Sequence, residues 1–281
     1  MKIILSRKGF DSEFGKITSP ILPDKTMLSL PIPQVNDTIK FDEIYYQNKS
    51  YLEIIKELNP KWKYLDDQTA HLDPDLREDI YKNRAKNWKP IFGQSAAAQG
   101  HLNKQGVGIG DIFLFFGSFE HTEKSNEGQL KYKSKNKDYP SGFHIVFGYL
   151  QIGEIYKVSS EEDYENLPEF IKYHSHANRN YVDKNNRPRK NNCIYVASKN
   201  LSINPKLPGA GALNFREDRI LTKKMKSKSI WQLPAFFEKL KISYHDTHSF
   251  NMGSFQSAPK GQEFVIEANN ELLDWVINKI K

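Results

Sequence analysis

Cysteine occurs once in these 281 residues, at Cys193, which excludes an internal disulfide framework. Long apolar runs are missing too: mean hydropathy is −0.67, and no stretch approaches the ~18 apolar residues of a membrane span. The start, Met1-Lys2-Ile3-Ile4-Leu5-Ser6-Arg7, carries too short an apolar stretch for a signal peptide. We therefore expect a cytoplasmic protein without a membrane partner. There is no internal repeat and no long low-complexity linker. No Gly-x-x-x-x-Gly-Lys-Ser/Thr loop occurs, and Gly106-Val107-Gly108-Ile109-Gly110 precedes an apolar strand rather than a helix, so its glycines read as a turn. A Gly-x-Ser-x-Gly elbow and the His-x-Glu/Pro-Cys-x-x-Cys pair of zinc deaminases are likewise absent, which argues against serine hydrolysis and that deaminase class.

What is present is aromatic and mildly basic. Aromatic residues make up 12 % of the chain, enough to fill a core, and 41 Lys+Arg stand against 34 Asp+Glu for a net charge of +7. That excess is modest, so the clusters matter more: Lys131 to Lys137, Arg187-Pro188-Arg189-Lys190, and Lys223 to Lys228. Each lies between predicted elements. Either they are solvated loops, or Arg187, Arg189, Lys190 and their like grip phosphates with a steep salt dependence.

Periodicity gives an α+β chain. Residues 2–6 read as a short buried strand. Ser50 and Glu53 form a capping-box pair, with Tyr51, Ile54, Ile55 and Leu58 on one helical face, and Asn59-Pro60 ends that helix. Asp73-Pro74 has the composition of an N-cap and first helical residue, predicting a helix to about 83. Another helix starts near Ser95. Apolar stretches at 112–116, 144–150, 154–158 and 192–198 predict strands, with a bend at Gly153, and suit a small, mostly antiparallel barrel. A helix is expected over 230–240, short strands at 242–245 and 263–266, and an amphipathic helix over 271–280. The expected organisation is one domain over 1–281: a loop and helical part to about 105, a barrel core over 106–200, and an α/β part from 201.

Eight histidines carry most of the candidate chemistry. Asp66-Asp67-x-x-x-His71-x-Asp73-x-Asp75 sets four carboxylates around one imidazole; Asp73 and Asp75 suit a helix start, whereas Asp67 and His71 suit a general acid/base or a ligand. In His174-Ser175-His176 the i, i+2 spacing puts both imidazoles on one face of a strand, where they would reach one metal ion, a phosphate or a base; an exposed loop is the alternative. His101 lies in a segment of small residues with Gln94 and Gln99, whose amides can read a base edge, and we expect this segment to line a pocket. Tyr244, before His245-Asp246-Thr247-His248, is suited to stacking on a base. Lys260, Gln262 and Glu263 stand in a loop leading into a strand, where lysine would meet phosphate and the acid and amide would read or polarise a base. Asp111 reads as support for the turn before its strand, and Cys193 as a buried small residue rather than a nucleophile.

Two resemblances sharpen this reading. Gly110-Asp111-Ile112-Phe113-Leu114-Phe115-Phe116, followed by Ile145-Val146-Phe147-Gly148-Tyr149-Leu150, is similar to part of the PUA-like superfamily, which includes EVE and ASCH domains. A longer resemblance rests on blocks in order along the chain: Lys2 to Ser12, Ser19-Pro20-Ile21, Leu28 to Pro33, His71 to Leu76, Phe92-Gly93-Gln94, Ala97 to Leu102, and Gly261 to Val265. These resemble the third of the nucleotide modification associated domain families. That resemblance implies a bacterial or phage protein of a DNA base hypermodification system, with DNA or nucleotide and possible companion base-modification proteins as partners, and no settled reaction or cofactor. The PUA-like resemblance implies a small barrel, here flanked by helices from both ends of the chain, and the residue chemistry makes Asp67, His71 and His101 the catalytic candidates. A non-catalytic PUA-like reader of modified bases is the rival expectation.

Overall fold

The computed structural model describes residues 1–10, 17–35, 37–62, 67–134, 136–140, 142–179, 189–258 and 263–281. Arg187, Lys260 and Gln262, singled out above, lie outside the described residues. Six strands form the spine of a nine-stranded main sheet: β1 (Lys2–Arg7), β3 (Ile91–Gln94), β4 (Ile112–Lys124), β5 (Phe143–Lys157), β6 (Cys193–Ala197) and β7 (Glu263–Glu267). Their order is β7-β1-β4-β5-β6-β3. β1 runs parallel to β4, and the other pairings along this path are antiparallel. Thus the first and last strands of the chain lie side by side.

The sheet is strongly curled but does not close. No backbone pairing joins its edge strands β3 and β7 among the described residues, so the expected closed barrel is not found. The edges meet through side chains instead: Gln94 Nε2 donates to Glu263 Oε1 at 2.6 Å. Helix α2 (Ala96–Lys104) leaves β3, contacts β7 and buries Leu102 in the main core, and so covers this seam. Inside the curl, Phe92 meets Phe113 and Phe115 at 4.8 and 5.1 Å between ring centres, and Tyr195 meets Phe113 at 5.2 Å. Burying each such ring contributes about 1.5–3 kcal/mol.

Local signals fixed several elements as expected. In helix α1 (Tyr51–Leu58) the Ser50–Glu53 capping box is complete, and Tyr51, Leu52, Ile54 and Ile55 are buried. Helix α3 (Asn270–Ile280) is capped by the Asn269 side chain. The predicted strands at 144–150 and 154–158 are one long β5, whose register slips between Ile152 and Glu154. Gly153 sits at that slip because a Cβ there would lie 2.7 Å from the Ser198 backbone. Asp111 ties its turn to β1, accepting from the backbone N–H groups of Lys2 and Gly108.

Three expectations fail. No helix follows Asp73: the segment runs extended, with Asp75 and Ile91 exchanging two backbone hydrogen bonds of 2.9 and 3.0 Å, and only a 3-10 turn forms at Glu78–Ile80. The free edge of β3 thus captures residues that local composition assigns to a helix start. Residues 230–240 likewise divide. Ile230–Trp231 pairs with Ser254–Gln256, and Pro234 precedes a 3-10 turn at Ala235–Lys239. At 242–245 only a single bridge, Ile242 to Ile266, is made.

Two smaller apolar clusters flank the main one. The first gathers Phe10, Phe41, α1 and Leu72, beside strand β2 (Thr69–His71), which is paired on either side by Ile32–Pro33 and Ile39–Lys40. The second gathers Ile91, Ile171, Ala177 and Ile194. β3 divides this second cluster from the main core, with Ile91 facing one and Phe92 the other. No helix among the described residues is long and apolar enough to cross a membrane.

Candidate functional site

Three pieces of chain converge at the outer edge of β3. β2 ends at His71, and the extended segment after it carries Asp73 along the strand, where Asp73 Oδ1 accepts the Gly93 N–H at 2.7 Å. The third piece is a 3-10 turn, Ser175–Ala177, anchored by Ile171 and Ala177 in the second flanking cluster. His174 caps that turn: its Nδ1 accepts the His176 N–H at 3.3 Å. The His174-Ser175-His176 pair is therefore held by a tight turn, not by the strand expected, and both rings are buried rather than looped into solvent.

The groups touch. The His71 and His176 ring centres are 5.2 Å apart, and those of His174 and His176 are 5.8 Å apart. His174 Nε2 lies 3.4 Å from Asp73 Oδ1, yet that nitrogen makes no hydrogen bond. Asp37 joins the two sides, with Oδ2 3.0 Å from His71 Nδ1 and Oδ1 accepting from Ser175 Oγ at 2.8 Å. Asn192 Oδ1 accepts from His176 Nδ1 at 2.7 Å, and its amide group donates back to the His176 carbonyl. Gly93 makes this packing possible: a Cβ there would lie 2.2 Å from the His176 ring.

The electrostatics follow from this packing. Burial by itself would raise the Asp73 carboxyl, but the adjoining His174, with the Lys8 ammonium, outweighs it and holds that group well below the ordinary carboxylate range. Burial pushes the His176 imidazole far below its usual value; Asp73 pulls it back, while His71 and His174 push it further down. At neutral pH the site therefore holds an ionised carboxylate against a neutral imidazole.

On the other face of β3 a second group forms beside Phe92. Glu263 Oε1 accepts from Gln94 Nε2 and from Lys8 Nζ, at 2.6 and 3.2 Å, and Lys8 Nζ sits 4.5 Å from the centre of the Phe92 ring. Glu263 Oε2 is buried with no hydrogen bond. Beyond it, on α2, His101 Nε2 lies 2.9 Å from Ser243 Oγ and its ring stacks on Tyr244 at 4.1 Å. Burial pushes His101 down, against the pull of Glu263. Tyr244 is 53 % exposed, which leaves ring surface open to a base.

The structure thus brings His71, His174 and His176 together, and Gln94 and Glu263 together across the strand. His101 and Tyr244 form a third group on the far side of Glu263. The acid on His71 is Asp37; Asp67 stands exposed in the turn ahead of β2. Gln99 does not face a base edge: its amide is spent on Tyr195 and Asn103 inside the fold. Arg189 and Lys190 lie at the start of α2, where the Lys190 carbonyl accepts the Ala96 N–H. Of the basic clusters, 131–137 and 223–228 adjoin through Lys224 and Asp138, a 2.8 Å ion pair that consumes part of their charge. His245 is architectural: its ring nitrogens bond the Ser243 carbonyl and the Ala258 N–H.

Sequence reasoning missed Asp37, Lys8 and Asn192, and assigned Asp73 to a helix cap. A usable signal existed for Asp73, since His71-x-Asp73 repeats the i, i+2 spacing of His174-x-His176. Asp37 gives none, because its partners lie 34 and 138 residues away.

A family model described as nucleotide modification associated domain 3 matches residues 2–267. No curated protein matches the chain, and no solved structure does.

Proposed function

Since this chain belongs to the nucleotide modification associated domain 3 family, we propose that its histidine–carboxylate cluster acts on a nucleotide, free or within DNA, and processes the base. The observation that carries this is the burial of His71, Asp73, His174 and His176 in mutual contact at one sheet edge. Burying ionisable groups costs several kcal/mol unless they are well paired, so a cluster with buried atoms left unbonded is a poor way to stabilise a fold and a good way to tune reactive groups. In this reading Asp73, ionised, orients the imidazoles, and His174 presents its ring N–H to the substrate. Lys8, Gln94 and Glu263, on the other face of β3, brace the strand that carries the cluster. Tyr244 stacks on an adjoining base.

The exposed Tyr244 ring and the strong curl of the sheet support a second reading, recognition of modified bases without turnover on a PUA-like core. One experiment separates them. The protein is titrated with deoxynucleotides and with modified and unmodified oligonucleotides across salt, and base masses are read before and after. We expect binding that weakens with salt, and a base mass change lost in His174→Gln. Tight binding with no mass change selects the reader. No affinity for nucleotide or nucleic acid sinks both.

A further inference from the structure

We infer that His71, Asp73 and His176 form a binding site for one divalent transition-metal ion, of the zinc or ferrous class. One ligand atom from each lies within 4.8 Å of the others. In a tetrahedral site, ligands 2.0–2.2 Å from the ion stand about 3.3–3.6 Å apart, so binding draws these atoms together by up to roughly 1.5 Å.

Three features beyond this proximity point to a metal. First, both imidazoles are oriented through Nδ1. The Asn192 amide is fixed by its donation to the His176 carbonyl, so its oxygen must accept from His176 Nδ1–H, leaving the lone pair on Nε2. Asp37 does the same for His71. A carboxylate or amide oxygen behind each ring is how metal-binding histidines are characteristically held. Second, the His174 ring is wholly buried and its Nε2 has no hydrogen bond. Because its Nδ1 accepts the His176 N–H, the proton sits on Nε2, 3.4 Å from the Asp73 carboxylate. Its N–H has only that long contact to Asp73 in the interior, and a substrate oxygen beside the ion would complete its hydrogen bonding. Third, the bare Cα of Gly93 admits the His176 ring where a Cβ would meet it at 2.2 Å.

The donor set fixes the class of ion. Two imidazoles and one carboxylate suit zinc and ferrous iron, whereas calcium and magnesium prefer oxygen ligands throughout. Three protein ligands leave positions open, as catalytic rather than structural sites do. His174 is then a positioning residue beside the ion. This inference deepens the function proposed above by naming the cofactor of that cluster, and its test reads metal rather than turnover.

The full chain is stripped with chelator and titrated with Zn2+, with Fe2+ under anaerobic conditions, and with Co2+ as a spectroscopic probe. We expect one equivalent per chain, a visible Co2+ ligand-field spectrum, and a raised melting temperature. His176→Gln should weaken binding by about 100-fold or more, and Asp37→Asn by roughly 10-fold. His248→Gln, on the exposed surface, should leave it unchanged. Circular dichroism checks that each variant folds; if His176→Gln does not, Asp37→Asn carries the test. Absence of stoichiometric binding by the folded protein overturns the inference, as does a Co2+ spectrum indifferent to both site variants or equal competition by Mg2+. Metal binding without nucleotide affinity would leave this site standing and remove the proposed function; base processing by metal-free protein would do the reverse.

Discussion

Asp73 and Asp75 stand two residues apart on the same extended segment, and their side chains are 4 % and 0 % exposed. Their surroundings differ completely. Asp75 receives both terminal nitrogens of Arg84 at 2.5 and 2.7 Å, the Tyr173 hydroxyl at 2.6 Å and the Trp88 indole at 3.3 Å. Charge is balanced there and the acceptor capacity is filled. Asp73 receives one backbone N–H and otherwise faces imidazoles, one of which keeps an unbonded nitrogen in the interior. Composition and burial are alike in the two places; completeness of pairing is not. A saturated polar network holds chain segments together, whereas one left open by its own side chains is arranged around something else.

The largest expected effect tests the closed half of this contrast. Asp75→Ala would strand the Arg84 guanidinium against Trp88 and Tyr173, and removing one partner of a buried pair costs about 3–5 kcal/mol. Urea unfolding measures it. A loss below about 1 kcal/mol would mean that the network is ornamental and that saturation is no guide to role.

His144 extends the comparison to the imidazoles. Like His174 it accepts an N–H at Nδ1, here the Trp231 indole at 3.1 Å among Phe116 and Trp231, but neither of its ring nitrogens is both buried and unbonded. Burial, with the charges of Arg7 and Lys228, pushes it down to about 3. The folded chain then binds fewer protons than the unfolded one between about 6.5 and 3, so this contribution is complete above pH 6.5 and is lost as the pH falls through that window. At pH 5 the loss from this residue is about 2 kcal/mol. Stability curves of the wild type and His144→Gln should converge on acidification by that amount. Parallel curves would remove His144 from the saturated class.

How much of this was legible depended on distance along the chain. The Ser50–Glu53 capping box, the apolar run opening β4 and the Asn269-capped final helix are decided by residues within a turn or two of one another, and they formed as read. Asp73-Pro74 carried an equally clean local signal and misled, because the free edge of β3 offered the segment better hydrogen bonds than a helix could. The site was half visible. His71 and the His174/His176 pair announced themselves by spacing and residue type. Their convergence did not, since it is made by Asp37, Gly93 and Asn192, whose roles exist only once three distant segments meet. Gln99 shows the opposite error: an amide suited to reading a base is equally suited to bracing Tyr195.

The smallest expected effect on stability is the most informative. Asp73→Asn preserves the shape of the side chain and an oxygen to accept the Gly93 N–H, so that hydrogen bond survives. What disappears is the negative charge beside His174 and His176. Because no cation as strong as Arg84 depends on it, folding should lose no more than about 1 kcal/mol. Metal affinity, and with it any base processing, should instead fall by about 100-fold, since a neutral amide is a poor ligand for a divalent ion. Measured side by side, Asp75→Ala should cost stability while Asp73→Asn costs binding. If Asp73→Asn unfolds the protein as readily as Asp75→Ala does, the open cluster is architecture after all, and the distinction between the two carboxylates has no functional meaning.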